Sequence, residues 1–468
     1  MRAGYPADPP AVTLGSPLRG GEVLADVRVR LPLSTVNRHG LVAGATGTGK
    51  TKTLQVIAGQ LSDSGVPVFV ADVKGDLSGL AQPIDPADPK VTERAASLGW
   101  TTEPRAHPVE LLSLSGTLGA PVRATVESFG PVLLAKVLDL NETQTAVLTL
   151  VFRLCDDREL PLLDLADLRA ALRFLGSDQG KPVLEEYGGV SKASIGVVLR
   201  SILTLEEAGA GAFFGEPPFD VQDLLRTEGD RGIVSLLELS DVMDRPRLFS
   251  TFMLWLLARL YATLPEVGDL EKPVLAFFFD EAHLLFDDAS DALLEQIELT
   301  ARLIRSKGVG VFFVTHAPTD VPRAVLGQLG NRIQHALRAF TPQDADDLRK
   351  TARTFPTTEH YDVEAALTSL GIGEALVTVL SADGTPSPLA WTRIVPPDSR
   401  MAPADEDVRA RLIAGSPLRI KTFAGPDRQS AAEILGARLA SAEKVAATPP
   451  PPGRRERSVF GTLHVSRR

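Results

Sequence analysis

One glycine-rich stretch of the sequence has the residue types and the spacing that phosphate binding requires. It reads Gly44-Ala45-Thr46-Gly47-Thr48-Gly49-Lys50-Thr51. Glycines at this spacing let successive backbone N–H groups converge on phosphate oxygens at the first turn of a helix. Lys50 is then placed to reach the β- and γ-phosphates, and Thr51 to ligate Mg²⁺. We expect this loop and the next residue, Lys52, to contact a nucleotide; a glycine turn that only caps a helix is the alternative.

A second candidate site is an acidic pair that follows an apolar stretch. The run Leu275-Ala276-Phe277-Phe278-Phe279 ends in Asp280 and Glu281. An Asp at the end of a strand can hold the water shell of Mg²⁺, and an adjacent Glu can polarise an attacking water molecule. A pair of acids at the start of a helix is the alternative, because acids favour that end. Together with the phosphate loop, the pair predicts a hydrolase that uses ATP and Mg²⁺.

Both sites need a scaffold that brings strand ends together, and the apolar pattern predicts one. A short apolar run leads directly into the glycines, and a helical pattern follows them as far as Leu61. Further continuous apolar runs, typical of strands buried on both faces, cover residues 66–71, 232–239, 274–279, 309–315 and 333–340. Helical stretches separate most of these runs. The sequence therefore predicts an α/β fold with a mainly parallel sheet flanked by helices.

Changes in pattern divide the chain into five segments. Proline and glycine predict an irregular start, and a stretch with apolar residues three and four apart predicts inserted helices, with Asn141 and Ser191 as N-caps. The segments are an irregular N-terminal arm (1–22), the first part of the core with the phosphate loop (23–124), a helical insertion (125–226), the second part of the core (227–395), and a C-terminal helical extension with a Pro/Arg-rich tail (396–468).

Composition excludes several classes of protein. With 468 residues, 44% of them hydrophobic and 23% charged, the chain is long enough for about three domains and is neither disordered nor fibrous. A net charge of −10 argues against a surface coated in basic residues for nucleic acid, although a local basic groove is compatible with it. The single cysteine, Cys155, cannot form an internal disulfide. The N-terminus has no signal-peptide pattern and residues 249–260 are too few to span a bilayer, so we expect a cytoplasmic protein without membrane contact.

Four stretches of the sequence together resemble a known family. They are GLVAGATGTGKT, VADVKGDLSGL, FFFDEAHLLF and GVGVFFVTHAPTDVPRAVLGQLGNRIQHALRAF, and they lie within residues 37–345. They are similar to the bacterial HerA-like ATPases, relatives of the FtsK-type ring motors, in particular to a HerA-like helicase branch first catalogued as a domain of unknown function. The resemblance implies a RecA-like P-loop core, Mg²⁺-dependent ATP hydrolysis and a homo-oligomer in the form of a hexameric ring. It leaves the substrate open, because similarity of fold does not determine function.

Two departures from the family pattern bear on function. HerA-type DNA motors carry an N-terminal β-barrel that docks partner nucleases, whereas about 40 residues precede the glycines here, so we do not expect a nuclease partner. The family usually places a Gln at the end of the strand that here reads Val314-Thr315-His316. We expect His316 to sense the γ-phosphate through a ring N–H and to couple hydrolysis to motion. A histidine that only ends a strand is the alternative.

The resemblance also implies an arginine that acts on the neighbouring subunit. Ring ATPases complete the site with such a residue, which stabilises charge on the transferred phosphoryl group. The candidates are Arg305, Arg332 and Arg338. Arg305 follows the helix after the acidic pair and Arg338 ends the last predicted core strand. We therefore expect both at one edge of a parallel sheet and rank them above Arg332; a surface ion pair is the alternative for each.

Other polar residues are weaker candidates. Asp72, Lys74 and Asp76 follow the strand after the phosphate-loop helix, where they would line the nucleotide or substrate side, or simply form a turn around Gly75. His283 and His335 lack the spacing of a zinc site, and we expect both to pack or to face solvent. No metal beyond Mg²⁺ is predicted.

The sequence leaves three hypotheses for the function. The first is a motor that moves or remodels double-stranded DNA. The second is a nucleotide-dependent switch or scaffold whose helical insertion binds a protein partner, which the acidic net charge and the short N-terminal region favour. A small-molecule kinase is a third reading, weakened by Glu281 and by the length of the insertion. The basic tail would contact DNA phosphates or remain solvated; its arginines are Arg454, Arg455, Arg457, Arg467 and Arg468.

Overall fold

The structure is a computed structural model. It describes residues 4–5, 10–268, 270–286, 291–425 and 427–447. The Pro/Arg-rich tail and its five arginines lie outside the described residues.

The strands of the described chain are short and mostly buried. They are β1 (Ala11–Arg19), β2 (Glu22–Val23), β3 (Val29–Pro32), β4 (Gly40–Ala43), β5 (Val68–Asp72), β6 (Val109–Ser113), β7 (Ala120–Pro121), β8 (Thr227–Glu228), β9 (Arg231–Gly232), β10 (Val234–Glu238), β11 (Leu275–Phe279), β12 (Val309–Thr315), β13 (Asn331–His335), β14 (Glu374–Thr378) and β15 (Ala390–Ile394).

The helices range from single turns to five turns. They are α1 (Lys50–Asp63), α2 (Pro89–Leu98), α3 (Val126–Val137), α4 (Glu142–Asp157), α5 (Leu165–Gly176), α6 (Lys181–Glu186), α7 (Lys192–Glu207), α8 (Pro246–Thr263), α9 (His283–Phe286), α10 (Asp291–Ile304), α11 (Arg323–Leu326), α12 (Pro342–Ala352), α13 (Val363–Ser369), α14 (Glu406–Gly415), α15 (Pro417–Phe423) and α16 (Ala431–Ala447). Among the described residues, none of these helices is long and apolar enough to cross a bilayer.

Thirteen strands form one mixed sheet around which the chain is organised. Their order is β2-β1-β15-β14-β13-β4-β12-β11-β5-β10-β6-β7, with β3 paired to β1. The strands from β13 to β7 in this order are parallel, whereas β14, β15 and β1 to β3 pair antiparallel. Parallel strands end at a common edge, so the glycine loop after β4 and the acids after β11 lie at the same edge. The predicted α/β fold with a mainly parallel sheet is confirmed.

Continuous apolar runs form the central strands because both faces of the sheet are covered. Along β5, Phe69 and Ala71 join one hydrophobic core, while Val68 and Val70 join another on the opposite face. The first core continues into the inserted helices, and the second contains α1 and the N-terminal strands. The alternation places roughly equal apolar area on each face, as buried parallel sheets require.

The inserted helices form a helical layer between β7 and β8. Helices α3 to α7 lie between these strands in the chain, and both predicted N-caps are present: Asn141 forms a capping box with Gln144, and Ser191 accepts from the Ser194 N–H. The last helix, α16, packs on α5. The C-terminal extension is therefore helical, as expected, through residue 447.

The expectation of an irregular N-terminal arm is wrong for residues 11–19. These form β1, which pairs with both β15 and β3. Glycine and proline suggested a loop, yet Val12 and Leu14 are fully buried in the sheet's core. Gly15 is required by close packing, since a Cβ there would lie 2.0 Å from the Arg393 carbonyl oxygen.

The expected end of the core sheet also differs. The run predicted over 333–340 ends as a strand at His335, and two further strands, β14 and β15, follow it. Arg338 consequently ends no strand and lies exposed in the following loop. The apolar residues beyond β13, Ala336 and Leu337, are buried against α12 and α13 instead of continuing the sheet.

Candidate nucleotide-hydrolysis site

The glycine loop joins β4 to α1 and is shaped by its own backbone. Gly44, Gly47 and Gly49 have φ values of 154°, 77° and 114°, a region that favours glycine. The Gly44 N–H donates to the carbonyl oxygens at the end of β12, and the Ala45 N–H donates to the Ala336 carbonyl oxygen at 2.8 Å. Both neighbouring strands therefore hold the loop at the carboxyl edge of the sheet.

Lys50, near the end of the loop, and Lys52, just after it, contact different partners. Lys50 folds back on the loop, where its ammonium donates to the Gly44 carbonyl oxygen at 2.5 Å, and burial lowers its pKa. Lys52 donates to the Met401 carbonyl oxygen at 2.5 Å and takes no part in the hydrogen bonds of the loop. Lys50 is thus the cation at the mouth of the loop. Thr51 lies beside it in the first turn of α1 and is partly exposed.

A buried histidine supports the loop from behind. His335, at the end of β13, donates through Nδ1 to the Glu374 carbonyl oxygen at 2.9 Å, and its Nε2 accepts from Thr53 of α1, also at 2.9 Å. Burial lowers the pKa of His335 to about 4, so it is neutral. A Cβ on Gly44 would come within 2.5 Å of the His335 Cβ. His335 thus packs inside the protein, the first of the two alternatives expected for it.

Three acids end adjacent strands at this edge. They are Asp280 after β11, Asp72 of β5 and Glu238 of β10, and all three are buried. Burial raises the pKa of Asp72 to about 6 and those of Glu238 and Asp280 to about 7, and repulsion from neighbouring acids, among them Asp76, adds to each shift. Asp72 accepts from two backbone N–H groups, whereas the Asp280 Oδ2 atom has no hydrogen-bond partner.

These acids fit a divalent cation. An unpartnered buried carboxylate oxygen, repelled by its neighbours, is stabilised by a metal ion. Asp280 and Thr51, the predicted Mg²⁺ ligands, offer the oxygen ligands that Mg²⁺ prefers. The donor set present is therefore compatible with Mg²⁺ at this edge.

Glu281 adopts an uncommon backbone conformation. Its φ is 49°, in the left-handed region, which costs a residue with a side chain about 1–2 kcal/mol. The turn places its carboxylate, buried in the structure, between Lys74 and His316. The Lys74 ammonium contacts Oε1 at 2.5 Å, and His316 Nε2 lies 3.1 Å from Oε2. Strained residues of this kind cluster at functional sites.

Electrostatics keep Glu281 ionised. Burial opposes its charge, but the Lys74 hydrogen bond and the nearby His316 and Lys50 outweigh burial, so the pKa of Glu281 lies below its usual value. Burial lowers the pKa of His316, against the opposing effect of Glu281. An ionised carboxylate is the form that accepts a proton from water.

The arginine candidates do not share one edge of the sheet. Arg305 precedes β12 and lies at the opposite edge, near His39, whereas Arg338 follows β13 on the side of the glycine loop. The expectation that both face the same edge is therefore wrong. The two strands run parallel, and Arg305 precedes one of them whereas Arg338 follows the other. Arg332 donates to carbonyl oxygens of its own chain, including Leu329 at 3.3 Å.

Two residues of this edge escaped the sequence analysis. Glu238 ends the observed strand β10 but lies inside the predicted run of residues 232–239, so the rule for acids at strand ends did not select it. His283 was expected to pack or face solvent, but its Nδ1 lies 3.5 Å from Glu281 Oε2. No sequence spacing indicates this contact, because it depends on the turn at Glu281.

A family model covers nearly the whole chain. The family described as "Helicase HerA-like C-terminal" matches residues 19–464. Two curated relatives are described as DNA double-strand break repair helicase HerA. That of Sulfurisphaera tokodaii is 22% identical over 369 residues, covering 77% of this chain and 66% of the relative. That of Sulfolobus acidocaldarius is 22% identical over 363 residues, covering 75% and 64%. The chain thus spans a little under two thirds of the length of these relatives.

Solved structures share the fold at low sequence identity. The bacterial conjugative coupling protein TrwB matches 83% of this chain and 90% of its own, with 14% identity and a TM-score of 0.53. VirB4 of Thermoanaerobacter pseudethanolicus matches 83% and 98%, with 14% identity and a TM-score of 0.51. TrwB in complex with ADP and Mg²⁺ matches 87% and 98%, with 15% identity and a TM-score of 0.52. On the family match and this shared RecA-like P-loop fold, the chain belongs to the HerA-like family of P-loop ATPases.

Proposed function

We propose that this chain is a Mg²⁺-dependent ATP hydrolase that acts as a ring-forming motor on double-stranded DNA. The observation that carries the proposal is the meeting of Lys50, Asp280 and Glu281 at one sheet edge. A phosphate loop there binds the nucleotide, and an ionised carboxylate beside it supplies the base that a hydrolase needs.

Each residue has a distinct task in this proposal. The backbone N–H groups of the glycine loop and the Lys50 ammonium bind the phosphates, for which Lys50 must leave the Gly44 carbonyl oxygen that it contacts here. Glu281 orients the attacking water and accepts its proton. Lys74 must release Glu281 Oε1 to free that oxygen, so the Lys74 contact marks a resting state.

The proposed metal ion is Mg²⁺, held through Thr51 and Asp280. When bound, it supplies positive charge that offsets the charge of the phosphate oxygens. TrwB has been solved with ADP and Mg²⁺, which supports the same use here. The bound cation would lower the pKa of Asp280, which is raised to about 7 without it, so Asp280 would remain ionised at neutral pH.

The proposals of DNA as the substrate and of a hexameric ring are supported by similarity to related proteins. The curated relatives are named as DNA repair helicases, and the family match extends over the whole core. In a ring, a neighbour's arginine would complete the site. We propose Arg338 and Arg305 for this role, ranked above Arg332, with Arg338 first because it lies exposed on the side of the glycine loop.

The direct test is steady-state ATP turnover with and without linear duplex DNA. Lys50→Ala serves as the blank, and Lys350→Ala, on the exposed face of α12, is the matched lysine control. We expect Lys50→Ala to abolish turnover and duplex DNA to stimulate the unchanged chain several-fold, an effect that fades between low and moderate salt. Turnover that survives in Lys50→Ala would contradict the assignment of the loop.

A second function is supported by a groove in the helical insertion. It has a volume of about 1330 Å³ and is lined by apolar side chains of α3 and α4, among them Val132, Ala146 and Leu150. Val132 is 61% exposed. A nucleotide-dependent switch or scaffold would use such a groove for a protein partner. Turnover that requires Lys50 but is indifferent to DNA would favour this function over the motor.

A further inference from the structure

Three polar side chains converge beside the glycine loop in a way that the hydrolysis reaction does not require. They are Glu281, His283 and His316; each offers one ligand atom, and these atoms all lie within 4.8 Å of one another. The two imidazole rings are 5.5 Å apart between centroids. An ATP hydrolase needs the carboxylate and one sensor group at this position; the second imidazole has no task in it.

The hydrogen bonding of this cluster is incomplete. Although His316 Nε2 lies 3.1 Å from Glu281 Oε2, the geometry is not that of a hydrogen bond. Within the described residues, Glu281 Oε2 and His283 Nδ1 are buried and have no hydrogen-bond partner. Buried polar atoms that converge without hydrogen bonds are costly unless something binds between them.

Two of the three distances between the ligand atoms are close to those around a transition metal. Zinc bonds of about 2.0–2.2 Å in a tetrahedral arrangement separate neighbouring ligand atoms by about 3.3–3.6 Å. Glu281 Oε2 lies 3.1 Å from His316 Nε2 and 3.5 Å from His283 Nδ1. Two imidazoles with one carboxylate form a ligand set that zinc uses when a fourth position stays open. Lys74 contacts the other oxygen, Oε1, and leaves Oε2 to the metal.

We propose that Glu281, His283 and His316 form a zinc site that switches off hydrolysis. Zinc at Oε2 would tie the catalytic carboxylate to the two histidines, so that it could no longer accept a proton from water. The loss of hydrolysis rests on the proposed function; the binding of zinc does not. Lys74 and Lys50 face Glu281 and oppose a cation, so the site binds zinc reversibly and not as a permanent structural ion.

The test separates binding from activity. Chelator-treated, nucleotide-free protein is titrated with ZnCl₂ by calorimetry, and ATP turnover in Mg²⁺ is then measured with and without buffered free zinc. The variants are His283→Ala, His316→Gln and, as the matched control, His360→Ala, an exposed histidine far from the cluster in sequence. Thermal unfolding verifies that each variant is folded.

We expect one zinc per chain, with affinity at least about tenfold weaker in His283→Ala and His316→Gln and unchanged in His360→Ala. Zinc should slow turnover of the unchanged chain and of His360→Ala but not of His283→Ala, each relative to its own zinc-free rate. Absent binding, binding that His283→Ala leaves intact, or binding without inhibition would overturn the proposal. Zinc binding by a chain that hydrolyses no ATP in Mg²⁺ alone would instead refute the proposed function and leave the site standing.

Discussion

The two strands that flank β4 end beside the glycine loop in opposite ways. At the end of β13, His335 is fully buried and both of its ring nitrogens are in hydrogen bonds. At the end of β12, His316 is partly exposed and adjoins Glu281, whose buried Oε2 atom has no hydrogen-bond partner. The first arrangement holds the loop in place; the second leaves groups available for a ligand or a reaction.

This difference distinguishes a supporting histidine from a reactive one. A satisfied buried imidazole contributes to stability and fixes its neighbours, whereas an unsatisfied polar cluster costs free energy that function must justify. Variants on the β13 side should therefore change stability, and variants on the β12 side should change turnover. Each prediction below tests one side of this division.

The largest effect is expected on the β12 side. Glu281→Gln keeps the size of the side chain but removes the proton acceptor, so ATP turnover should fall about 10²–10⁴-fold. Urea unfolding should show only a small loss of stability, because the ion pair with Lys74 that offsets the burial of Glu281 is removed. Glu359→Gln, an exposed acid, is the control. A Glu281→Gln chain that turns over ATP normally would remove Glu281 from the mechanism.

On the β13 side, His335→Leu should act on stability. The substitution leaves the Thr53 hydroxyl and the Glu374 carbonyl oxygen without their partner in a buried place, at about 1–3 kcal/mol for each group. Urea unfolding monitored by circular dichroism measures the loss, and His360→Leu provides the exposed control. Unchanged stability would show that the hydrogen bonds of His335 do not support the loop.

The pH dependence of unfolding gives a smaller effect. Burial lowers the pKa of His335 and of His39 to about 4. The stability that their neutral forms contribute is fully present above the ordinary histidine pKa of about 6.5 and is lost as pH falls through 4. Between pH 6.5 and 5, each should cost about 2 kcal/mol in the free energy of unfolding. In His335→Gln, the loss between pH 6.5 and 5 should be smaller than in the unchanged chain by about 2 kcal/mol; an identical pH dependence would contradict the assignment.

The smallest change is expected for the histidine that replaces the family's glutamine. His316→Gln keeps a side-chain donor, so basal turnover should change by less than about tenfold, which corresponds to the strength of one hydrogen bond. His316→Ala removes the donor, and stimulation of turnover by duplex DNA should then be lost. Measuring turnover with and without DNA in both variants separates coupling from chemistry. Equal DNA stimulation in the alanine variant would exclude His316 as the coupling residue.

Much of the fold is predictable because central parallel strands are apolar on both faces. The strands β10, β11 and β12 lie within the predicted runs, and β5 overlaps its own. β1 was missed since Gly15 and Pro17 suggest a turn, and only the long-range pairing with β15 makes them strand residues. The strands β14 and β15 pair antiparallel, and nothing in their local sequence indicates which strands they pair with.

The candidate site is likewise predictable from the sequence only in part. Lys50, Asp280 and Glu281 are predictable because the chemistry fixes their residue types and their places at strand ends. The meeting of His283 with His316 is not, because it depends on the left-handed turn at Glu281 and on the pairing of β11 with β12. The positions of Arg305 and Arg338 are not predictable either, because they depend on where β12 begins and β13 ends.

The pairing of β1 with β15 sets an order on how the chain can fold. Residues 11–19 are made long before their partner strand, residues 390–394, which is among the last parts of the core to be made. Until β15 is made, β1 can pair with β2 and β3 but not with β15, and such distant contacts form slowly. This part of the sheet is thus completed late, and a chain interrupted before β15 would leave the β15-facing side of β1 open to pairing with other molecules.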